Sequence, residues 1–132
     1  MWDDEKMKIN IDAIIKIESD GDPKAFNKHS KARGLCQITP ICLEEWNAHQ
    51  AHRGRFDESD LFSASINKMI AQWYLNERIP AMLIAYALPV SLEFILGAYN
   101  FGIGNMKKIW KGEIKWPAET RNYIEKYRSL SN

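Results

Sequence analysis

The strongest constraint on the fold is a short stripe of isoleucines that ends in a carboxylate. Ile11, Ile14, Ile15 and Glu18 are spaced i, i+3, i+4 and i+7, so they share one face of an α-helix. Asn10 is a candidate N-cap for this helix. Because three of the four positions are isoleucine, we expect the face to pack into the core. Glu18 then occupies the position where the pattern calls for a fourth apolar residue.

Two interpretations of Glu18 follow from this pattern. Burial disfavours the charged form, so the pKa of the carboxyl should rise, and a carboxyl that is protonated near neutral pH can act as a general acid. In the second interpretation the helix simply ends at Glu18, and the carboxylate turns into solvent or pairs with an arginine. The helix pattern alone favours the second interpretation, so the choice depends on the rest of the chain.

The remaining sequence predicts a mainly α protein of six or seven short helices, with no alternating strands. At most a small hairpin is expected near residues 24–38, in a long polar excursion after the first helix. Chain length predicts a single domain over residues 1–132, with residues 1–8 loosely ordered. The further helices are predicted at 40–49, from 66 to near 78, from 80 through 86, from 92, up to 110, and from 117 to about 128.

Composition excludes several classes of protein. The chain is 45% apolar with a formal net charge of +1, so nothing draws it to nucleic acid or to an anionic membrane. The chain as given has no secretory signal, and no apolar run reaches the ~18 residues of a membrane span. Cys36 and Cys42 are expected to be buried free thiols, with a disulfide between them as the alternative. No metal site and no cofactor is predicted, because neither cysteine has a partner at zinc spacing.

Four short motifs are candidates for ligand binding or catalysis. Each places uncharged hydrogen-bonding residues beside apolar or glycine neighbours, which suits the hydroxyl and acetamido groups of sugars. Taken singly, each is as typical of a structural amide or a helix cap. The motifs are Glu18-Ser19, Gly34-Leu35-Cys36-Gln37, Ala98-Tyr99-Asn100-Phe101-Gly102, and Glu119-Thr120 with Tyr123.

In this order and spacing, the motifs resemble the soluble-type lytic transglycosylases (SLT domains), a family related to goose-type lysozyme. The family's helix ending in Glu-Ser, its Gly-Leu-Met-Gln stretch, its Ala-Tyr-Asn-Ala-Gly motif and its terminal Glu-Thr-x-x-Tyr correspond to the four motifs. The family's Asn before a helix containing Tyr-Leu looks like Asn67 with Tyr74-Leu75. The resemblance covers about residues 9–128.

The resemblance implies a lysozyme-like fold, mainly α within the α+β lysozyme superfold, and cleavage of the β-1,4 bond between N-acetylmuramic acid and N-acetylglucosamine in peptidoglycan. Glu18 would be the sole general acid/base. It would protonate the leaving oxygen and then take a proton from the muramyl C6 hydroxyl, whose attack on C1 leaves a 1,6-anhydro end. The implied substrate-binding residues are Gln37, Tyr99, Asn100, Tyr123, Ser30 and Glu119.

Three departures from the family pattern bear on these assignments. Cys36 replaces a methionine, and Phe101 replaces a small residue and is expected to narrow the cleft locally. The segment between Glu18 and Gln37 is one residue longer than the common spacing. As a result, either Ser30 or Asn27 takes the place of the family's cleft serine.

Two rival functions remain. A goose-type muramidase on the same fold would use water, with Asp20 or Asp22 as a second carboxylate about 5–9.5 Å from Glu18. A single carboxylate is enough if the substrate's own hydroxyl attacks. The other rival is a non-catalytic wall-binding or virion structural module.

In each case the expected partner is the peptidoglycan glycan strand, bound by a monomer with no nucleic acid and no membrane insertion. The expected place of action is the bacterial cell wall, with the protein periplasmic, extracellular or delivered by a phage particle.

Overall fold

The computed structural model describes residues 8–131, and over this range the secondary structure is helical, without a β-strand. The predicted mainly α class is confirmed. In place of a hairpin, the polar excursion contains two isolated antiparallel bridges, Phe26–Arg33 and Arg33–Ile38. The α-helices are α1 (Ile11–Glu18), α2 (Pro40–His49), α3 (Ala64–Trp73), α4 (Ile79–Ala85), α5 (Leu92–Phe101), α6 (Ile103–Trp110) and α7 (Ala118–Ser131). Short 3₁₀ helices span Ala51–Arg53 and Glu58–Phe62, and a π-helical turn spans Tyr74–Arg78.

The predicted helix starts are set by local capping. Thr39 caps α2 by accepting a hydrogen bond from the backbone N–H of Cys42, and Pro40 occupies the first turn, where its missing N–H costs nothing. Ser91 caps α5 in the same way. The start of α3 lies two residues before the predicted Ile66, because Ser63 is its N-cap.

The prediction of one regular helix from residue 66 to near 78 is wrong in its last third. After Trp73 the backbone widens into the π-helical turn, and α4 begins at Ile79. Pro80, at the start of α4, has no N–H with which to complete an α-helical hydrogen bond to residue 76. The proline therefore accounts for a break in the regular ladder at this position.

Contacts divide the chain into two compact units, and the predicted single domain over residues 1–132 stays a prediction. The α1–α3 unit is Ile11–Tyr74, and the α4–α7 unit contains residues 8–10 and 75–131 of the described chain. The expected loose order of residues 1–8 falls, apart from Lys8, outside the described residues.

Aromatic packing builds the core of the α1–α3 unit. Trp46 is fully buried and meets the ring of Trp73 edge-on, with ring centroids 5.5 Å apart. Its indole N–H donates to the carbonyl of Gly54 at 2.8 Å, so the one polar atom of the ring is satisfied. Helices α1 and α3 pack together, with Ile14 and Ile70 fully buried. This core supports the end of α1, where Glu18 lies.

Helix α5 is the centre of the α4–α7 unit and packs against α4, α6 and α7. The residues before α1 are attached to this unit, because the N–H of Ile9 donates to Asn76 at 2.7 Å and the N–H of Asn10 donates to the hydroxyl of Tyr127 at 2.9 Å. Within the described range, no helix is both long and apolar enough to cross a membrane.

Candidate active site

Glu18 is the last residue of α1, and its side chain is half-buried. The predicted stripe is confirmed at Ile11 and Ile14, which are 7% and 0% exposed, while Ile15 is half-buried. The carboxyl therefore lies at the rim of the core, at the point where the helix stops. Glu18 therefore combines features of both interpretations, since it is partly buried and it also ends the helix.

Ser19 ties the end of α1 to the segment that contains Gln37. Its backbone N–H continues the helix by donating to Ile15 at 3.0 Å, and its hydroxyl donates to the carbonyl of Leu35 at 2.8 Å. The hydroxyl also accepts a hydrogen bond from the N–H of Gly21 at 3.2 Å. Ser19 thus fixes where the chain leaves the helix after Glu18.

Residues 33–38 form a tight turn, called here the 33–38 turn. Arg33 and Ile38 close it with two reciprocal backbone hydrogen bonds, each 3.0 Å long. Gly34 has φ of +81°, where a glycine is unstrained, and Gln37 has φ of +56°, an uncommon conformation for a residue with a side chain. An uncommon conformation of this kind persists only where its surroundings enforce it.

The side-chain amide of Gln37 is divided between two roles. Its Nε2 donates to the carbonyls of Ala25 at 3.2 Å and Gly34 at 3.0 Å, which makes that half of the amide structural. Its Oε1 has no hydrogen-bond donor in the part of the chain that the structure describes, and the side chain is half-buried. The acceptor atom is therefore the one that Gln37 can offer to a ligand.

Cys36 lies in the electrostatic field of Glu18. Its side chain is fully buried, and burial raises the pKa of the thiol to about 12. The negative charge of Glu18 is the next largest cause, Lys68 opposes it, and Asp12 adds a smaller increase. Both cysteines are buried free thiols, as expected, and burial also raises the pKa of Cys42.

The two aspartates considered as a second carboxylate are exposed, and each is engaged by a residue close to it in sequence. Asp20 pairs with Lys16 one helical turn back, and its φ is +53°. Asp22 accepts a hydrogen bond from the N–H of Lys24 at 2.9 Å. These are the local roles for which aspartate is common in turns.

Ser30 and Asn27, the alternatives for the cleft serine, are also exposed turn residues. The side chain of Asn27 accepts hydrogen bonds from the N–H groups of His29 at 2.9 Å and Ser30 at 3.1 Å. The hydroxyl of Ser30 accepts one from the N–H of Ala32 at 3.2 Å. Both side chains shape the polar excursion, and their contacts favour neither as a ligand.

The other predicted site residues belong to the α4–α7 unit. Tyr99 and Asn100 lie half-buried in the last turn of α5, whereas Tyr123 is buried on α7. The hydroxyl of Thr120 donates to Oδ1 of Asn100 at 2.8 Å, so these two motifs are in direct contact. Glu119 is exposed in the first turn of α7, where a negative charge complements the helix dipole.

Thr120 is a residue that sequence reasoning missed as a partner of Asn100. It is 1% exposed and holds one half of the Asn100 amide, so the NH₂ group of Asn100 is the half that remains. Its place inside the Glu-Thr-x-x-Tyr motif was the available signal. Among residues 8–131, no group of three or more His, Cys, Asp or Glu side chains is arranged to hold a metal ion.

The family of the chain follows from comparison with known proteins. The transglycosylase SLT domain profile matches residues 2–122, which is most of the chain. The protein therefore belongs to the transglycosylase SLT domain family, as its motifs suggested. Membership implies, at the level of the family, lytic-transglycosylase-type cleavage of peptidoglycan and action on the cell wall. The comparison with curated proteins gives no match.

Proposed function

We propose that this protein is a peptidoglycan lytic transglycosylase that cleaves the MurNAc-β-1,4-GlcNAc bond and leaves a 1,6-anhydro-MurNAc end, with Glu18 as its sole general acid/base. The observation that carries the proposal is the position of Glu18 in a chain of this family. Its carboxyl is half-buried at the end of α1, and its charge raises the pKa of the buried thiol of Cys36. A half-buried carboxyl at a helix end is placed to exchange a proton with a bound sugar.

The proposed reaction needs one group that gives and then takes a proton. The Glu18 carboxyl protonates the glycosidic oxygen as the bond to C1 of the muramyl sugar breaks. The carboxylate then accepts the proton of the C6 hydroxyl, and the oxygen of that hydroxyl bonds to C1. Glu18 thereby returns to its starting protonation state. Proton transfer by a positioned group raises the reaction rate about 10²–10⁴-fold. The remaining acceleration comes from intramolecular attack, because the attacking hydroxyl is already oriented towards C1.

The surroundings of Glu18 support a mechanism with one carboxylate. Asp20 and Asp22 are exposed; Asp20 pairs with Lys16 of α1, and Asp22 accepts the N–H of Lys24 in the turn that follows. A hydrolase would use one of them to activate water, in competition with these local contacts. The transglycosylase reaction needs neither.

The proposed sugar contacts use the hydrogen-bonding atoms that the fold leaves over. Gln37 keeps a carbonyl acceptor, which suits a hydroxyl or amide N–H of a sugar, and Asn100 keeps an amide donor, which suits a hydroxyl or acetamido oxygen. Tyr99, Tyr123, Ser30 and Glu119 are proposed as further substrate contacts on the strength of their motif positions. The proposed partner is the glycan strand, bound by a monomer at the cell wall.

The first experiment compares Glu18→Gln with Asp20→Asn on purified peptidoglycan, by release of soluble fragments. We expect Glu18→Gln to lose at least about 100-fold in rate, because the amide keeps the size of the carboxyl but cannot transfer its proton. Asp20→Asn changes a charge two residues away and is expected to stay close to the wild type. Equal rates for Glu18→Gln and the wild type would remove Glu18 from the mechanism.

The second measurement is mass spectrometry of the products that the wild type releases. The proposal requires 1,6-anhydro-muropeptides. Reducing ends alone would instead identify a muramidase on the same fold. Binding of peptidoglycan without any cleavage would identify a wall-binding module.

A further inference from the structure

Asn67 is a buried polar side chain of α3 that the proposed reaction does not use. It is 1% exposed, and a buried amide is costly unless its hydrogen bonds are satisfied. Backbone groups satisfy it on both sides. Its Oδ1 accepts the N–H of Cys36 at 2.8 Å, and its Nδ2 donates to the carbonyls of Arg33 at 2.8 Å and Leu61 at 2.9 Å.

Two of these three hydrogen bonds end on the 33–38 turn. Asn67 binds the carbonyl of Arg33, the first residue of the turn, and the N–H of Cys36, three positions later. Between them lies Gly34, where an added Cβ would be only 2.2 Å from both Asn67 Nδ2 and the carbonyl oxygen of Leu61. The backbone of the turn therefore lies directly on the Asn67 amide, with no room for a methyl group.

The turn that Asn67 holds is joined by a hydrogen bond to the end of α1 and lies within the electrostatic influence of Glu18. The hydroxyl of Ser19, the residue after Glu18, donates to the carbonyl of Leu35 in the turn. The thiol of Cys36 lies close enough to Glu18 for the carboxylate to raise its pKa. A displaced turn would thus change both the packing around Glu18 and the placement of Gln37.

We propose that Asn67 is a positioning residue. Its hydrogen bonds to Arg33 and Cys36 hold the 33–38 turn, and with it Gln37, in place relative to Glu18, and its third hydrogen bond anchors the amide to Leu61. It acts through the turn rather than on the substrate. The catalytic consequence rests on the proposed function. The hydrogen-bond clamp itself is tested without any enzyme activity.

The kinetic test uses Asn67→Ala and Asn67→Asp on soluble glycan strands, assayed well below their melting temperatures. We expect kcat to fall about tenfold or more in Asn67→Ala, because small misplacements of catalytic groups are costly. Asn67→Asp keeps an acceptor for the Cys36 N–H but sets a buried oxygen against the carbonyl oxygens of Arg33 and Leu61, so its kcat should fall at least as far as that of Asn67→Ala.

Ile70→Ala is the matched control. Ile70 lies one turn further along α3, is fully buried and makes none of the three hydrogen bonds. Its cavity should lower the melting temperature while leaving kcat within about twofold, since the turn stays clamped. An equal loss of kcat in Ile70→Ala and Asn67→Ala would reduce Asn67 to a general stabiliser of the fold and overturn the proposal.

Alkylation of Cys36 tests the clamp independently of activity. Cys36 and Cys42 are 0% and 3% exposed, so both thiols should react slowly with iodoacetamide in the wild type. In Asn67→Ala we expect Cys36 to react about tenfold faster and Cys42 to be unchanged, as located by tandem mass spectrometry. Unchanged labelling of Cys36 would overturn the clamp. If Cys36 is labelled faster in Asn67→Ala but the wild type cleaves no glycan, the clamp is supported and the proposed function is wrong.

The wild type alone gives an answer if the Asn67 variants do not fold. The Cys36 N–H is a buried donor to Asn67, so its hydrogen exchange should be about 100-fold or more slower than that of an exposed amide of the polar excursion such as Lys28. Exchange as fast as that of Lys28 would show that the clamp is open in solution, against the proposal.

Discussion

At the scale of single residues, the most informative pair is a carboxyl and a thiol. Glu18 and Cys36 are separated by a long polar excursion in sequence, yet the charge of one raises the pKa of the other. Coulomb interactions in a partly buried site are screened less than at the surface, so a charge change at Glu18 should be visible in the titration of Cys36.

This coupling predicts that Glu18→Gln lowers the pKa of Cys36 below its value of about 12. Burial still holds the pKa of the thiol above its ordinary value, because burial is the larger cause. The measurement is the pH dependence of the Cys36 ¹³Cβ chemical shift, which separates this thiol from Cys42.

Asp20→Asn is the control for that titration. It removes a carboxylate from the same end of α1, but Asp20 does not contribute to the pKa of Cys36. The Cys36 titration should therefore begin at the same pH as in the wild type. A shift in Asp20→Asn that matches the one in Glu18→Gln would mean that the thiol senses overall charge rather than Glu18.

Asn67 shows what sequence reasoning missed at this scale and why. The motif resemblance named it without a role, although it interrupts a helical pattern that continues with the buried Ile70 and Ala71. A polar residue on such a face signals buried hydrogen-bond partners. Its partners come from two other segments, near Arg33 and near Leu61, and helical periodicity carries no information about such contacts.

At the scale of elements, the helices with strong local signals were predicted most accurately. The bounds of α1 and α2 agree with prediction, because an apolar stripe defines the first and a Thr-Pro start defines the second. The π-helical turn after Trp73 was not predicted, since the side-chain pattern through it stays compatible with an ordinary helix. The uncommon φ of Gln37 was missed as well, because the surrounding turn imposes it.

At this scale, the N-cap residue Thr39 is a position where the stability lost on substitution can be predicted. Its hydroxyl accepts the N–H of Cys42 and so caps α2 directly after the 33–38 turn. Thr39→Ala should lower the free energy of unfolding by about 1 kcal/mol, the typical value of an N-cap. Urea unfolding monitored by circular dichroism measures the change.

Thr39→Ser separates capping from side-chain packing. Serine keeps the hydroxyl and is at least as good an N-cap as threonine, so this variant should stay within a few tenths of a kcal/mol of the wild type. If Thr39→Ser loses as much stability as Thr39→Ala, the lost methyl group and not the cap accounts for the effect.

At the scale of the whole molecule, the two buried thiols tie stability to alkaline pH. The pKa of Cys36 is raised from its ordinary value of 9.0 to about 12, and that of Cys42 is raised well above 9.0. Above pH 9 the unfolded chain loses these protons while the folded chain keeps them. The stabilisation is therefore complete below the unfolded pKa and is lost as the pH rises towards the folded pKa.

From this sign we expect the free energy of unfolding to fall by about 1.4 kcal/mol per thiol between pH 7 and pH 10, given an unfolded pKa near 9. Tyrosines and lysines also begin to titrate in this range, so the informative quantity is a difference between proteins. Cys36→Ala removes one thiol, and its unfolding free energy should fall by about 1.4 kcal/mol less than that of the wild type over the same interval. Urea unfolding at the two pH values measures both. If the free energy of unfolding depends on pH equally in Cys36→Ala and the wild type, the fold does not keep the Cys36 thiol protonated. The predicted effect of Glu18 on that thiol would then be wrong as well.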